Sequence, residues 1–461
     1  MRGIDNHPYI PNSSPQIREI MLKYLGLSSY DELHAEIPDE IKLTERMNLP
    51  EAMLSEHELR RHVEGILAKN KSTRELVSFL GGGCAEHFIP AVCDEINGRG
   101  EFLTAYGGES YNDFGRFQSL FEYQSLVAEL VGMEVVNVPT MDWGQAAATS
   151  LRMASRLTGR KTALVAGTIS PERLAIIRNY CAPDMDIKLI EFKAATGRMD
   201  IEDLKAKISR ETACVYFENP AYLGFLETQG KMISALAHVH GAVSIVGVDP
   251  ISLGVLAAPP EYGADIVCGD LQPLGIHMNY GGGQSGFIAT RDEEKYVMEY
   301  PSRLFGICPT TEPGEYAFGD VAYDRTSFGH HRHEAKEYVG TQTALWGITA
   351  GVYLALMGPK GMTEVGETIL QKAAYAKTEL AKIDGVKTKF GGFKEFVVDF
   401  NVTGKTVVEI NKALLQKGFL GGIDLSHSFP QLGQAALFCV TEVRTKAEID
   451  ALVVALLEVL V

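Results

Sequence analysis

The sequence predicts an α/β fold built on a mainly parallel sheet and followed by a small α+β domain. Three observations carry this reading. Short, nearly continuous apolar runs recur through the middle of the chain, as strands buried on both faces do. Helical stretches separate them, which is the βαβ rhythm of parallel crossovers. After about Gly340 the texture changes to long apolar helices alternating with isolated strands. The 461 residues are 46% hydrophobic and 22% charged, which suits a globular chain with a sizeable core.

The elements follow in order. Ser14 to Lys71 reads as short helices broken by Pro38 and Pro50, a helical arm assigned to residues 1–75. A large α/β domain is expected over 76–340. It opens with helices at Glu86 to Gly98 and Arg116 to Val131, the latter with Leu120, Phe121, Gln124, Val127, Leu130 and Val131 near one stripe and Asn112 or Asp113 as its cap. Strands are expected at Thr162 to Ala166, Ile187 to Phe192, Ala213 to Phe217, Ala242 to Val248, Asp265 to Cys268 and Gly286 to Thr290. The helices between them are Gly144 to Leu157, Pro171 to Tyr180, Ile201 to Ile208 and Lys231 to His240. The α+β domain, 341–461, should contain helices at Thr343 to Leu356, 365–383, 406–416 and 446–460, with strands Phe396 to Val402 and Ala436 to Thr441.

Charge excludes whole classes of partner. Lys and Arg number 43 against 59 Asp and Glu, a net charge of −16. A nucleic-acid groove or an anionic membrane would demand the opposite sign. No apolar run is long enough to span a bilayer, and Met1 to Pro15 lacks the order of a secretory signal, so a cytoplasmic protein is expected. Seven scattered cysteines, several inside apolar runs, read as buried thiols of a reducing compartment.

Several constellations could carry chemistry. His330, His331 and His333 with Glu334 form the most obvious metal candidate, but adjacent side chains diverge and no second ligand cluster exists, so a polar loop is the better reading and no metal is expected. Gly81 to Gly83 and Gly281 to Gly283 lack the context of phosphate loops and read as tight turns. Asp142 precedes the helix at the first crossover. It either caps that helix or marks a helix N-terminus suited to a phosphate monoester. Asp249 closes the strongest strand and precedes Pro250; it is either a turn residue or, in a pyridoxal phosphate enzyme, the carboxylate that keeps the pyridine nitrogen protonated. Such a site next needs a lysine one strand further on. The stretch Gly263 to Gly275 has none, and no lysine lies between Lys231 and Lys295.

Taken together, Tyr9-Ile10-Pro11-Asn12, Asp31-Glu32-Leu33, Ile37 to Leu43, Asn48 to Glu51, Phe79 to Gly83, His87 to Val92, Glu101 to Tyr106, Asp249 to Gly254, Gln272 to Ile276 and Val440 to Lys446 carry a resemblance that runs nearly end to end. The chain resembles the P-protein family of the glycine cleavage system, in its two-chain form the α subunits, subunit 1 of glycine dehydrogenase (decarboxylating). The resemblance implies a fold type I pyridoxal-phosphate-transferase-like architecture. It also implies that the catalytic lysine and the pyridoxal phosphate belong to a homologous subunit 2 in an α2β2 assembly, with Pro273 standing where that lysine would be. The pair would decarboxylate glycine and pass its aminomethyl group to the lipoyl arm of the H-protein, and this chain would be inactive alone. Its expected contribution is a loop carrying Thr104, Tyr106, Ser110 and Tyr111 to the substrate, with Asp142 and Asp249 as vestigial cofactor positions.

The sequence departs from the family in site-facing segments. After Tyr106 the family continues Thr-Pro-Tyr-Gln-Pro-Glu; this chain reads Gly107-Gly108-Glu109-Ser110-Tyr111-Asn112-Asp113-Phe114-Gly115-Arg116. Asp142 to Gln145 and Gly329 to Thr343 also differ. A paralogue acting on another small amino acid or amine, or a structural or regulatory pseudo-enzyme subunit, are the alternatives.

Overall fold

The computed structural model describes every residue except 1–8, 11–13, 43–44, 46, 104–113, 327–332, 334, 338–342 and 461. Two units divide the chain, Met1–Asn70 and Lys71–Val461. In the first, helix α1 (Pro15–Tyr24) starts at Ser14, whose hydroxyl accepts the Ile17 N–H, with Pro15 pre-set for the first turn. Helix α2 (Glu56–Leu67) is capped the same way by Ser55, and neither helix buries a residue.

The second unit begins with the short strand β1 (Val77–Ser78), helix α3 (Ala91–Asn97) and helix α4 (Phe114–Val131). The helix expected from Glu86 starts only at Ala91. Pro90, with extended backbone, precedes it, and the Phe88 N–H donates to Glu442 rather than to a helical turn. Strand β2 (Val135–Val136) leads to α5 (Trp143–Thr158), β3 (Thr162–Ala166), α6 (Pro171–Cys181), β4 (Asp186–Ile190), α7 (Ile201–Lys207), β5 (Thr212–Glu218), α8 (Gly230–Val239), β6 (Val243–Val248), β7 (Ile266–Asp270) and β8 (Gly286–Thr290). Among the described residues these strands make a seven-stranded sheet in the order β2-β8-β7-β6-β5-β3-β4. Strands β3 to β7 run parallel, whereas β8 is antiparallel to β7 and β2 to β8.

The sheet is covered on both faces. Ala146, Leu151 and Ala154 of α5 pack with Val165, Ile177, Cys214, Tyr216 and Ile288 on one side. Val127 and Val131 of α4 pack with Phe217, Val246, Val248, Leu274 and Tyr353 on the other. Every residue of β5, β6 and β7 is buried, which is why those strands read as unbroken apolar runs.

Helix α9 (Glu294–Val297) and an antiparallel hairpin of β9 (Phe305–Pro309) and β10 (Tyr316–Asp320) follow. Helix α10 (Ala344–Leu380) spans the two helices expected there, with a break at Gly358, whose φ of 58° precedes Pro359. Strands β11 (Lys387–Lys389) and β12 (Glu395–Asp399), helix α11 (Val407–Gln416), strands β13 (Phe419–Leu420), β14 (Ile423–Asp424) and β15 (Ala435–Cys439), and helix α12 (Lys446–Leu460) complete the chain. A four-stranded antiparallel sheet, β11-β12-β15-β14, packs Phe396, Val398 and Phe438 under α10, α11 and α12. Strand β1 lies apart from its neighbours in sequence and pairs in parallel with β13. The cysteines are all free thiols; Cys308 is exposed on β9, against the buried expectation, because that face of the hairpin has nothing over it among the described residues.

Candidate functional site

Parallel strands deliver their carboxyl ends to one side of a sheet, and three adjacent ones here each end in an acid. Glu218 closes β5, Asp249 follows β6 and Asp270 closes β7, all less than a tenth exposed. That is the crevice where α/β folds place ligands. Two cations answer these acids. Arg173 from α6 makes a paired contact with Glu218, Nε to Oε1 at 2.8 Å and the terminal nitrogen to Oε2 at 2.9 Å. Lys394, just before β12, sets its Nζ 2.5 Å from Asp249 Oδ2.

Each charge is held by further contacts. Asp249 Oδ1 accepts the Ile251 N–H at 3.0 Å, so Asp249 caps the turn after β6 while it pairs with the lysine. The Lys394 ammonium lies 3.4 Å from His87 Nε2, and His87 Nδ1 lies 2.9 Å from Glu442 Oε2. Burial opposes the lysine's charge, but Asp249, together with Cys439 and Glu395, outweighs it and holds the ammonium above its ordinary range. Burial likewise opposes the Glu442 anion, yet His87 and the Phe88 N–H hold that carboxyl down at about 2. Asp270 goes the other way: burial, with Asp249 nearby, lifts it to about 7 despite Lys394 and Arg173. Burial also pushes the Cys84 thiol at the crevice up to about 11, which removes it as a nucleophile at neutral pH.

The walls are aromatic. The Arg173 guanidinium lies 4.0 Å over the Trp143 ring, and the Trp143 indole N–H donates to the Tyr216 hydroxyl at 3.1 Å, which donates in turn to Glu218 at 3.0 Å. Gly224 approaches from the loop after β5; a Cβ there would sit 2.0 Å from the Glu395 carbonyl oxygen, so only glycine lets this loop and β12 meet. What remains enclosed among Trp143, Arg173, Asp249, Pro273 and Lys394 is about 30 Å³, room for one or two waters. A wider crevice of about 620 Å³, lined by Gly81 to Gly83, Asp142, Gly144 and Tyr280, adjoins it.

The sequence candidates distribute as follows. Asp249 and Pro273 line the enclosed cavity. Asp142 caps α5, its Oδ1 accepting the Gln145 N–H at 2.7 Å, and lines the wider crevice. Thr104, Tyr106, Ser110 and Tyr111 lie outside the described residues, as do His330 and His331; His333 is exposed, and no metal-ligating cluster occurs among the described residues. Sequence reasoning missed Arg173, Glu218, Lys394 and Asp270 as crevice residues. His87 and Glu442 stand inside His87 to Val92 and Val440 to Lys446, where the sequence gives neither a role; nothing in spacing joins Lys394 to Asp249.

A pyridoxal cofactor does not fit these residues. Pro273 offers no amine, and Lys394, the lysine that does line the cavity, is held protonated by Asp249 and cannot act as a nucleophile at neutral pH. The enclosed cavity beside Asp249 is too small for a pyridine ring, and the wider crevice is not lined by Asp249, Pro273 or Lys394.

Comparison with known proteins places this geometry. The family model described as glycine cleavage system P-protein matches residues 7–456. A probable glycine dehydrogenase (decarboxylating) subunit 1 of Pyrococcus horikoshii is 40% identical, covering 99% of this chain and 100% of that protein. The corresponding protein of Staphylothermus marinus is 37% identical, with 99% of each covered. A crystal structure of glycine decarboxylase (P-protein) of the glycine cleavage system, in inhibitor-bound form, superposes with a TM-score of 0.84 at 32% identity over 98% of this chain and 100% of that one. A sphingosine-1-phosphate lyase from Burkholderia pseudomallei, at 14% identity, shares the fold alone, with a TM-score of 0.64 over 90% of this chain and 92% of that one. The architecture is that of fold type I pyridoxal-phosphate enzymes.

Proposed function

The chain belongs to the glycine cleavage system P-protein family, and from that premise we propose that it is subunit 1 of a two-chain, cytoplasmic glycine dehydrogenase (decarboxylating). The observation that carries the reading is the end-to-end match to proteins named subunit 1, at 40% identity for the Pyrococcus horikoshii protein. On this reading a homologous subunit 2 holds the pyridoxal phosphate and its lysine, the two chains assemble as a heterotetramer, and the lipoyl H-protein takes the aminomethyl group. The role of this chain is to complete the partner's pocket through Thr104, Tyr106, Ser110 and Tyr111. Pro273, the paired Lys394 and the small cavity between them support a chain that performs no covalent chemistry itself.

The test is release of labelled carbon dioxide from carboxyl-labelled glycine by the chain, by its subunit 2, and by both together with lipoyl H-protein. Release by the pair alone is the expected result. Borohydride reduction of the pure chain with pyridoxal phosphate should leave no pyridoxyl group on any lysine of the crevice. A second reading, a pair acting on another small amino acid or amine, is favoured by one observation, the replacement of a proline-stiffened loop by Gly107 to Arg116. Release of carbon dioxide from another carboxyl-labelled amino acid, or consumption of an amine, with none released from glycine, would establish it.

A further inference from the structure

A cofactor site that has lost its ligand has two fates: apolar side chains collapse into it, or its charges stay and find new partners. Burying a charge pair offers no stability over an apolar filling of the same volume, so the first course costs less. In this crevice Arg173 and Lys394 are both paired with acids. Asp249, only 8% exposed, is still an acid at the end of β6, and Trp143 still presents a ring face to the cavity.

We propose that Asp142, Arg173 and Lys394 stand in for the phosphate, the ring and the ring nitrogen of a pyridoxal-type ligand, and so close a site that is otherwise formed. The α5 N-terminus, a place for a phosphate monoester, carries its own anion in Asp142, 2.7 Å from the Gln145 nitrogen. The Arg173 guanidinium is planar and lies 4.0 Å over Trp143, where an aromatic ring would stack, and Glu218 fixes it there with two hydrogen bonds. The Lys394 ammonium meets Asp249 Oδ2 at 2.5 Å, supplying the cationic N–H that a pyridinium would give the same carboxylate. Arg173 and Lys394 both line the small cavity, so removing them vacates one continuous slot between Trp143 and Asp249. The chain's own cations, as well as the missing lysine, exclude the ligand.

The inference rests on the fold and not on the glycine reading, so its failure leaves the two-chain assay above untouched. The probe is 4′-deoxypyridoxine, which has no aldehyde to label surface lysines and no phosphate to meet Asp142 at the α5 N-terminus. Its binding to the full chain is measured by calorimetry for wild type, Lys394→Ala and Lys394→Ala/Arg173→Ala, with circular dichroism to confirm folding. Wild type should show no binding at millimolar probe, Lys394→Ala should gain little because Arg173 still covers Trp143, and the double variant should bind at least roughly tenfold more tightly than that limit. Adding Asp249→Asn to the double variant should abolish the gain. A folded double variant that binds no better than wild type would overturn the proposal, as would binding by wild type or by Lys394→Ala equal to that of the double variant.

Discussion

The Lys394 ammonium and the Asp249 carboxylate form a buried ion pair, 2.5 Å from Nζ to Oδ2, between the residue before β12 and the residue after β6. The pair joins the four-stranded sheet to the seven-stranded one. Removing one member leaves the other as a buried, uncompensated charge, at a cost of about 3–5 kcal/mol. Lys394→Met should therefore lower unfolding stability by that amount in urea titration. Lys394→Met/Asp249→Asn should recover most of it, since asparagine keeps an oxygen for the Ile251 N–H. Equal losses in the single and double variants would show that the pair is not the source.

Asp270 predicts a pH dependence. Its carboxyl titrates at about 7 in the folded chain, above the ordinary carboxylate range, so the folded state holds a proton that the unfolded state has released. The stabilisation from that proton is complete below about pH 4, the unfolded value, and is lost as pH rises through 7. Wild type should lose stability between pH 5 and 7.5 relative to Asp270→Asn by on the order of a few kcal/mol, with Asp270→Asn the more stable at the upper end. Parallel stability curves for the two proteins would refute the assignment. Lys394, Arg173 and Asp249 face Asp270; the two cations are held above their ordinary ranges and stay charged through this window, and the Asp270→Asn comparison isolates the Asp270 contribution.

Tyr106→Phe separates a pocket role from a packing role in the assembled complex. A lost hydrogen bond to substrate should lower turnover on the order of 10-fold, about 1.4 kcal/mol of transition-state stabilisation, with assembly unchanged. Weakened assembly with normal turnover per intact complex would place Tyr106 at the subunit seam instead.

Thiol titration should find a single fast site. Cys308 is exposed, Cys84 is partly covered, and Cys93, Cys181, Cys214, Cys268 and Cys439 are buried. Burial lifts the Cys84 and Cys93 thiols to about 11 and those of Cys181 and Cys268 to about 12, so their thiolates are scarce at neutral pH. Ellman's reagent should label the native chain rapidly once, and Cys308→Ser should remove that phase.

These contrasts show what a linear reading could reach. Val215, Val246 and Val267 sit in strands buried on both faces, so composition alone marks those strands. The hairpin of β9 and β10 was missed because Gly306, Pro309 and Gly319 interrupt it and its exposed positions leave no apolar run. The helix expected from Glu86 was overextended because the backbone there hydrogen-bonds across the unit to Glu442, a partner that local pattern cannot reveal. In the site, Asp249 was legible since a strand end is a position in the topology. Lys394 and Arg173 were not, since their meaning lies only in what they touch.

The parallel pairing of β1 with β13 sets a timetable for the nascent chain. Phe79, fully buried, leaves the ribosome early but packs against Phe419 and Phe438, and Thr441 reaches back 355 residues to the Glu86 carbonyl. At about 5–20 residues per second, that apolar segment waits roughly 20–70 s for its partners to be made. Until then it is a sticky, unpaired stretch of growing polypeptide, a client for holdase chaperones. A stop codon just before β13 would delete the end of the gene and yet strand residues encoded near its beginning.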